Sequence, residues 1–357
     1  MPIYAAFTPW SKTGLKTAID KCLEQSPEGN CPKGPDGASI GDWDVSKVAD
    51  MTGIFRSAET FTADISKWDV SKVTDMERMF SWATSFNGIL SAWDVAQVTN
   101  MQRMFDHAKL FNTDVSKWEI SSVTSTYRMF YGATAFNSIV SNWDVSRIVD
   151  MSGMFYEATQ FNKDISKWDV SRVIDMSWLF YAAWHFQADI SQWDVSRVTK
   201  MSRTLSSTLF NGDISKWDVS RVTDMSWMFQ NAEKFNTDLS TWDVSKVTDM
   251  SYIFSGAKAF NSDISDWNIS GVTNVVSMFD GARTFNVDIS KWDVSRVRTM
   301  SNMFHDARSF DTKLCGASWV RSNAIKDDMF VRSSGSISQT ICTITSTDTA
   351  ATIRTRL

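Results

Sequence analysis

The chain has 357 residues, with 36 Lys and Arg against 41 Asp and Glu, and a formal net charge of −5. Nucleic-acid binding is not indicated, because phosphate neutralisation takes a basic surface that this composition does not provide. No apolar run approaches the ~20 residues of a membrane span. Residues 1–17 also do not read as a secretory signal, since no positive start is followed by an apolar core.

The first 40 residues are predicted to form an N-terminal helical cap. In residues 11–23, Leu15, Ile19 and Cys22 recur at helical spacing, which predicts a short amphipathic helix. Residues 27–35 are rich in Pro and Gly and predict a loop. A cap of this kind would cover the exposed end of a repeat array.

Tryptophan then marks a repeated unit. Eleven tryptophans are separated by 25 residues, except for one interval of 24 between Trp193 and Trp217. A fixed period of this length predicts one elongated solenoid instead of several globular domains. The marker residues are Trp43, Trp68, Trp93, Trp118, Trp143, Trp168, Trp193, Trp217, Trp242, Trp267 and Trp292.

The first half of a unit predicts a short strand. In residues 65–70, Ile65, Trp68 and Val70 have the spacing of the strand segment of a leucine-rich repeat. Trp68 and Val70 are expected to point into the core and Asp69 to point outward, because side chains alternate along a strand.

The second half of a unit predicts a helix of about three turns. Thr74 is a candidate N-cap, and Glu77 three residues later completes a capping box. Met76, Met79 and Phe80 then fall on one helical face. The sequence therefore predicts an α/β repeat of about eleven units, each with one short strand plus one helix per 25-residue unit.

Asparagine recurs in the loop after each predicted helix, and we expect it to bond backbone groups of adjacent turns; a binding role is the alternative. Residues 201–210 are one residue shorter than the equivalent segments, which predicts a shortened or looser helix and a small bend in the solenoid. The asparagine ladder comprises Asn87, Asn112, Asn137, Asn162, Asn211, Asn236, Asn261 and Asn286.

After residue 310 the pattern stops, and residues 311–357 are predicted to form a C-terminal cap and a Ser/Thr-rich tail. Leu314, Trp319, Met329 and Phe330 are expected to fold over the last unit.

The four cysteines all lie outside the array. Stacked units would place the two ends of the array roughly 50 Å apart, whereas a disulfide needs Cα atoms within ~7 Å. We therefore predict Cys22–Cys31 and Cys315–Cys342, one disulfide at each end. The alternative is four buried thiols. Disulfides would indicate an oxidising compartment.

An outward row of charge is the main candidate for binding. A carboxylate follows most of the marker tryptophans, and a basic residue stands three positions further on. One interpretation is a self-neutralising, soluble surface; the other is a ladder that recruits divalent cations or a basic partner. The candidate partner-binding ladder comprises Asp69, Asp94, Glu119, Asp144, Asp169, Asp194, Asp218, Asp243, Lys72, Arg147, Arg172, Arg197, Arg221 and Lys246.

Catalysis is not indicated by any motif. His107, His185 and His305 lie in separate units without partners at catalytic or metal-binding spacing. Nucleophile-elbow, phosphate-loop and C-x-x-C patterns are missing. We predict no enzymatic activity and no cofactor.

The repeat consensus, Trp-Asp-Val-Ser-Lys/Arg-Val-Thr-Asp-Met-Ser-x-Met-Phe-x-x-Ala-x-x-Phe-Asn-x-Asp-Ile-Ser, resembles the BspA-like leucine-rich repeat. Its clearest copies are residues 217–235 and 242–260, and the resemblance covers residues 41–310. It implies a right-handed, leucine-rich-repeat-like solenoid and, for bacterial members of the family, surface display and protein-binding or adhesive roles. The units around 119–127 and 268–276 depart most from the consensus and are the first places to look for a specialised patch.

The sequence therefore predicts a non-enzymatic protein-interaction or adhesion module that presents an extended charged face. A structural rod within a larger assembly or cell envelope is the alternative. A protein or polysaccharide is the expected partner, and an extracellular or cell-surface location is expected from the resemblance and the paired cysteines.

Overall fold

The computed structural model describes residues 7–31 and 39–342. Part of the predicted cap loop (32–38) and the end of the predicted Ser/Thr tail (343–357) lie outside the described residues. Helix α1 spans Lys12–Gln25, a 3-10 helix spans Ile40–Asp42, and helix α2 spans Ala317–Val320. Strands β1 (Lys313–Leu314) and β2 (Ser336–Ile337) pair in parallel, Lys313 opposite Ser336.

Between these terminal elements the chain winds as a stack of coils, one per repeat unit. Parallel backbone bridges join equivalent positions of successive coils, as from Asp150 to Asp175 and from Asp175 to Lys200. One continuous hydrophobic core runs from Leu15 to Met329. The repeat array that the tryptophan period predicts is therefore present, while its right-handed winding stays a prediction.

The strand and helix predicted for each unit are wrong. In residues 43–310 the described backbone forms tight turns and isolated bridges, with neither an extended strand nor an α-helix. Where a strand was expected, the Trp68 N–H donates to the Ile65 carbonyl at 3.1 Å, which closes a turn. Thr74 therefore caps no helix. Its N–H donates to the Ala49 carbonyl of the preceding coil at 2.8 Å.

A left-handed backbone position explains why no helix forms in the second half of the unit. Arg78 has φ 53° and Trp82 has φ 63°, and the equivalent residues of the other coils also have positive φ. Such residues fit the third position of a tight turn and interrupt a right-handed helix. Two of these turns, closed by Met79 N–H to Met76 O and by Ala83 N–H to Phe80 O, place the same apolar residues inward.

Hydrogen bonds between coils replace the helical ones. In a helix each N–H would donate to a carbonyl four residues earlier. Here alternate N–H groups donate to the next coil, so the strain of the left-handed residues is offset by bonds that tie the stack together. These are Met76 to Asn100 (2.9 Å), Arg78 to Gln102 (2.9 Å), Phe80 to Met104 (2.9 Å) and Trp82 to Asp106 (2.6 Å).

The core consists of stacked aromatic columns. Phe80, Phe105 and Phe130 are fully buried, with ring centroids 5.5 and 5.6 Å apart in successive coils. Trp68 and Val70 are buried and Asp69 is exposed, as predicted. Each buried marker indole also needs an acceptor. In most coils the indole N–H donates to a backbone carbonyl of an earlier coil. Examples are Trp68 to Ile40 (2.9 Å), Trp143 to Val115 (3.0 Å) and Trp292 to Ile264 (2.9 Å).

The asparagine ladder has the structural role that the sequence predicts. The N–H of Asn112 donates to the Asn87 side-chain oxygen at 2.8 Å, and Asn137 donates to Asn112 in the same way. The contact recurs further along the stack, as from Asn286 to Asn261 at 2.9 Å.

The unit that is one residue shorter than the others lacks that residue in the turn that precedes Phe210. In the preceding coil, Ala183 and Phe186 close this turn. Here the Thr208 hydroxyl donates to the Leu205 carbonyl at 2.8 Å and accepts from the Phe210 N–H at 3.4 Å. The predicted helix shortening is therefore wrong: a side-chain hydroxyl replaces part of the backbone turn.

Both ends of the core are covered. Helix α1 buries Leu15, Ala18 and Ile19, and the Glu28 carbonyl accepts from Thr62 in the first full coil. At the other end Trp319 is buried, and its indole N–H donates to the Ile289 carbonyl at 3.0 Å.

The predicted cysteine pairing is confirmed at each end. Cys22 and Cys31 are joined with Cα atoms 5.4 Å apart, and Cys315 and Cys342 with Cα atoms 5.2 Å apart.

Candidate functional site

The predicted charge ladder lies at the surface. Every one of its side chains is exposed, from Asp69 and Lys72 to Asp243 and Lys246. Its carboxylates also have a local structural role. One Asp69 oxygen accepts from the Ser71 N–H at 3.0 Å and from the Ser71 hydroxyl at 2.6 Å. Asn268, the exception in the row, makes the same two contacts with Ser270. Partner binding by the ladder stays a prediction.

These turns lower the pKa of the aspartates. The side-chain hydrogen bond from Ser71 is the main cause of the lowered pKa of Asp69, followed by the Ser71 backbone N–H. Ser146 and Ser245 lower the pKa of Asp144 and Asp243 in the same way. The ionised carboxylate is the better acceptor, so folding favours it.

We expect acid to weaken the fold through these turns. Because the folded-state pKa lies below the unfolded value near 3.8, their contribution is present above that value and is lost as the pH falls through the lowered pKa. Replacing Asp69, Asp144 and Asp243 with asparagine keeps the acceptor at every pH, as Asn268 shows. Urea unfolding at neutral pH and at about pH 3 should show a smaller acid-induced loss in the variant. An equal loss in both proteins would contradict this role.

Metal binding finds no support in the ladder. Within residues 7–31 and 39–342, no group of three or more His, Cys, Asp or Glu side chains is arranged to hold a metal ion. The histidines lie apart: His107 stacks on Trp82 with centroids 3.9 Å apart, His185 contacts the Thr159 carbonyl, and His305 pairs with Asp280 at 2.8 Å.

A second surface lies on the turn segment that carries the inward-facing methionines and phenylalanines of each coil. Its outward positions differ from coil to coil, since the residue equivalent to Arg78 is Arg, Gly, Trp, Tyr, Ser or Asn elsewhere in the chain. In the middle coils these positions hold aromatic and arginine side chains. We name this surface the aromatic–arginine face; it comprises Arg103, Tyr127, Arg128, Tyr131, Tyr156, Trp178, Tyr181, Arg203, Trp227 and Tyr252.

Planar groups of the aromatic–arginine face stack on one another along the solenoid. The rings of Tyr131 and Tyr156 are 3.9 Å apart, and those of Tyr156 and Tyr181 are 4.6 Å apart. The Arg203 guanidinium lies over Trp178 at 4.1 Å and over Trp227 at 4.5 Å. Cation–π and ring-stacking contacts hold these half-buried side chains in a fixed arrangement.

A depression of about 380 Å³ opens in the middle of the face. Arg128 and Tyr131 lie on one side, Trp178 and Lys200 on the other, and Gly153 lies between them. Burial of the Tyr156 phenol raises its pKa far above the ordinary value, with the Tyr131 contact as the next cause. Tyr156 is therefore neutral and acts as a packing and hydrogen-bonding group.

This surface was missed at the level of sequence because the repeat consensus emphasises residues that the fold needs. The available signal was the opposite one. Outward positions that vary between otherwise similar units are not constrained by the fold. Five of the six tyrosines of the chain fall on such positions: Tyr127, Tyr131, Tyr156, Tyr181 and Tyr252.

Within residues 7–31 and 39–342, no helix combines the length and the apolar character needed to span a bilayer.

Comparison with solved structures gives distant similarities. One is a leucine-rich cell surface protein from Faecalibacterium prausnitzii A2-165, which is 13% identical in sequence. The alignment covers 74% of this chain and 76% of that protein's chain, with a TM-score of 0.36. Another is the functional domain of InlJ from Listeria monocytogenes, which is 11% identical in sequence. The alignment covers 72% of this chain and 63% of the InlJ chain, with a TM-score of 0.25. Neither likeness transfers a partner or a function.

Sequence comparison with curated proteins gives no significant match. A family model described as "Mycoplasma protein of unknown function, DUF285" matches residues 33–143, 129–242, 179–275 and 225–342. These overlapping matches span the whole coil stack. The resemblance to BspA-like repeats stays a prediction, and the chain belongs to the DUF285 family.

Proposed function

We propose that this protein is a non-enzymatic interaction module that binds a protein partner through the aromatic–arginine face. The observation that carries the proposal is the concentration of Tyr, Trp and Arg at turn positions that the fold leaves variable. These three residue types are enriched among the residues that dominate protein–protein binding energy.

The state of these side chains supports the proposal. Stacking already fixes their rotamers, as between Trp227 and Tyr252 with centroids 3.8 Å apart. A partner then binds a preorganised surface and loses less side-chain entropy on association. The face also continues over successive coils from Arg103 to Tyr252, which suits an extended interface.

An extracellular or cell-surface setting fits the same proposal. Two disulfides close the ends of the solenoid, and disulfides persist mainly in oxidising compartments. The resemblance of the repeat to the BspA-like motif supports adhesion as the biological role.

The test compares two double variants, in which each new residue already occurs at the equivalent position of another coil. The face variant combines Tyr131→Ser and Trp227→Ser. Serine already stands at the equivalent positions of other coils, as Ser81 and Ser277. The ladder variant combines Arg172→Gln and Arg221→Gln. Gln97 stands at the equivalent position of another coil. Both variants are expected to fold as the wild type does, since other coils already carry these residues.

Affinity capture from surface extracts of the source organism, quantified by mass spectrometry, measures the effect. A protein retained by the wild type should be reduced at least about tenfold by the face variant and retained by the ladder variant. Loss with the ladder variant alone would overturn the proposal in favour of the charged face. Light scattering that shows self-association without a captured partner would instead favour the structural rod.

A further inference from the structure

The depression at Gly153 is a gap in a column of side chains that is unbroken elsewhere from Arg78 to Asn302; Gly53, in the first coil, also lacks a side chain. The column consists of the residues equivalent to Arg78, which stand two positions after Met76 or its equivalents; Thr126 replaces this methionine before Arg128. All of them have a similar left-handed backbone, with φ 54° at Arg128, 62° at Gly153 and 63° at Trp178. Because Arg and Trp adopt this conformation in neighbouring coils, the backbone does not require glycine at 153. The missing side chain, between the Arg128 and Trp178 layers, is therefore what distinguishes this coil from its two neighbours.

On the C-terminal side of the gap, the column is a stack of planar groups. Trp178, Arg203, Trp227 and Tyr252 follow one another in successive coils. The Arg203 guanidinium is 4.1 Å from the Trp178 ring centre and 4.5 Å from that of Trp227, and Trp227 is 3.8 Å from Tyr252. Flat groups thus stack in four successive layers on this side of the gap.

The gap has room for one such group. Successive coils are ~4.8 Å apart, so the layers of Arg128 and Trp178 are ~10 Å apart across Gly153. A ring between two flat groups needs ~3.5 Å on each side, or ~7 Å in all. A Cβ built on Gly153 would lie 3.2 Å from Cγ of Arg128 and 3.6 Å from Cδ2 of Tyr131, so these two side chains closely border the N-terminal side of the depression.

The charges at the gap select the kind of group. The Arg128 guanidinium is held over the rings of Tyr127 and Tyr131, at 5.2 and 4.8 Å. A second guanidinium beside it would be repelled, whereas an electron-rich ring gains a cation–π contact. Lys200, the other cation at the gap, pairs with Asp175 at 3.3 Å, so an opposite charge lies beside it.

We propose that the gap at Gly153 binds one aromatic side chain of a polypeptide partner, sandwiched between the Arg128 guanidinium and the Trp178 indole. Tryptophan is the preferred residue because its ring gives the strongest cation–π contact. The inference rests on the proposed function, since it names the group that the aromatic–arginine face receives.

The probe is N-acetylfluorotryptophanamide, added to the full chain and followed by fluorine NMR. We expect weak binding, on the order of a millimolar dissociation constant. N-acetylphenylalaninamide and its cyclohexylalanine analogue, which has the same ring size but no π system, are then compared by their displacement of the fluorinated probe. The cyclohexyl compound should bind at least about tenfold more weakly than the phenyl compound.

Two variants locate the probe. Gly153→Trp fills the gap with the proposed occupant and should abolish binding, whereas Gly53→Trp makes the same change at the equivalent position of the first coil and should not. Trp178→Ser, which introduces the residue type that Ser277 supplies in the same column, should weaken binding at least about tenfold without adding bulk. Thermal unfolding checks that each variant is folded.

Equal binding of the phenyl and cyclohexyl compounds, or unchanged binding of the probe to Gly153→Trp or Trp178→Ser, would overturn the inference. An equal loss in Gly53→Trp would do the same. The probe is measured on the isolated protein, so these outcomes are distinguishable from a failure of partner capture, which tests the proposed function separately.

Discussion

Replacing Phe155 with alanine should lower the free energy of unfolding by about 3–5 kcal/mol, the range for deleting a large buried aromatic side chain. The Phe155 ring is fully buried and stacks against Phe130 at 5.8 Å, Phe180 at 5.7 Å and Phe161 at 3.9 Å. Its removal leaves a cavity that adjoins three coils. Guanidinium unfolding followed by tryptophan fluorescence measures the change.

Two controls come from the chain itself. Leu205 occupies the position equivalent to Phe155 in the short coil and is fully buried, so Phe155→Leu should cost much less than Phe155→Ala. Phe330 lies at the end of the same column, is only partly buried and stacks on Phe304 at 5.5 Å. If Phe330→Ala were as destabilising as Phe155→Ala, the aromatic columns would not be the main source of cohesion.

Removing either disulfide should destabilise the corresponding end of the solenoid by about 3 kcal/mol, from the loop-closure entropy restored to the unfolded chain. Cys315 and Cys342 close a separation of 27 residues, against 9 for Cys22 and Cys31. The C-terminal pair is therefore expected to have the larger effect. Paired Cys→Ala variants and the wild type are compared by chemical unfolding.

Hydrogen exchange shows where this stability is lost. Each coil contacts mainly its neighbours, so exchange should increase in the coils beside the removed disulfide and stay unchanged around Phe155. A uniform increase along the chain would contradict this local role. Loss of the N-terminal pair should not affect the coils beside Cys315.

The interior of the protein could be predicted from the sequence because burial follows the period of the repeat. Trp68, Val70 and Phe80 face the core whatever local backbone carries them. The cysteine pairing was predictable for a related reason: a linear stack keeps its two ends apart, and the structure confirms both pairs.

The local backbone could not be read from the same spacing. Apolar residues at intervals of three, one and three residues fit one face of a helix, but two consecutive tight turns place them inward equally well. Glycine was the overlooked signal. Gly132 stands where other units carry Trp82 or His107, and all three have positive φ, a conformation that helices exclude.

The hydrogen bonding of the carboxylate ladder could not be read from the sequence for a different reason. Asp69 and its equivalents looked like free carboxylates because sequence alone does not show that Ser71 occupies one of their oxygens. The gap at Gly153 depends on which side chains lie in the adjacent coils, and it becomes visible only when the units are aligned in space.

The way each coil bonds to the coils on either side has a consequence for how such a protein changes over evolutionary time. Duplication or loss of a whole unit leaves every new junction chemically similar to an old one, as the bridges from Asp150 to Asp175 and from Asp175 to Lys200 illustrate. The reach of the molecule can then grow or shrink in increments of ~4.8 Å. Recognition can diversify separately, by mutation of a few turn side chains.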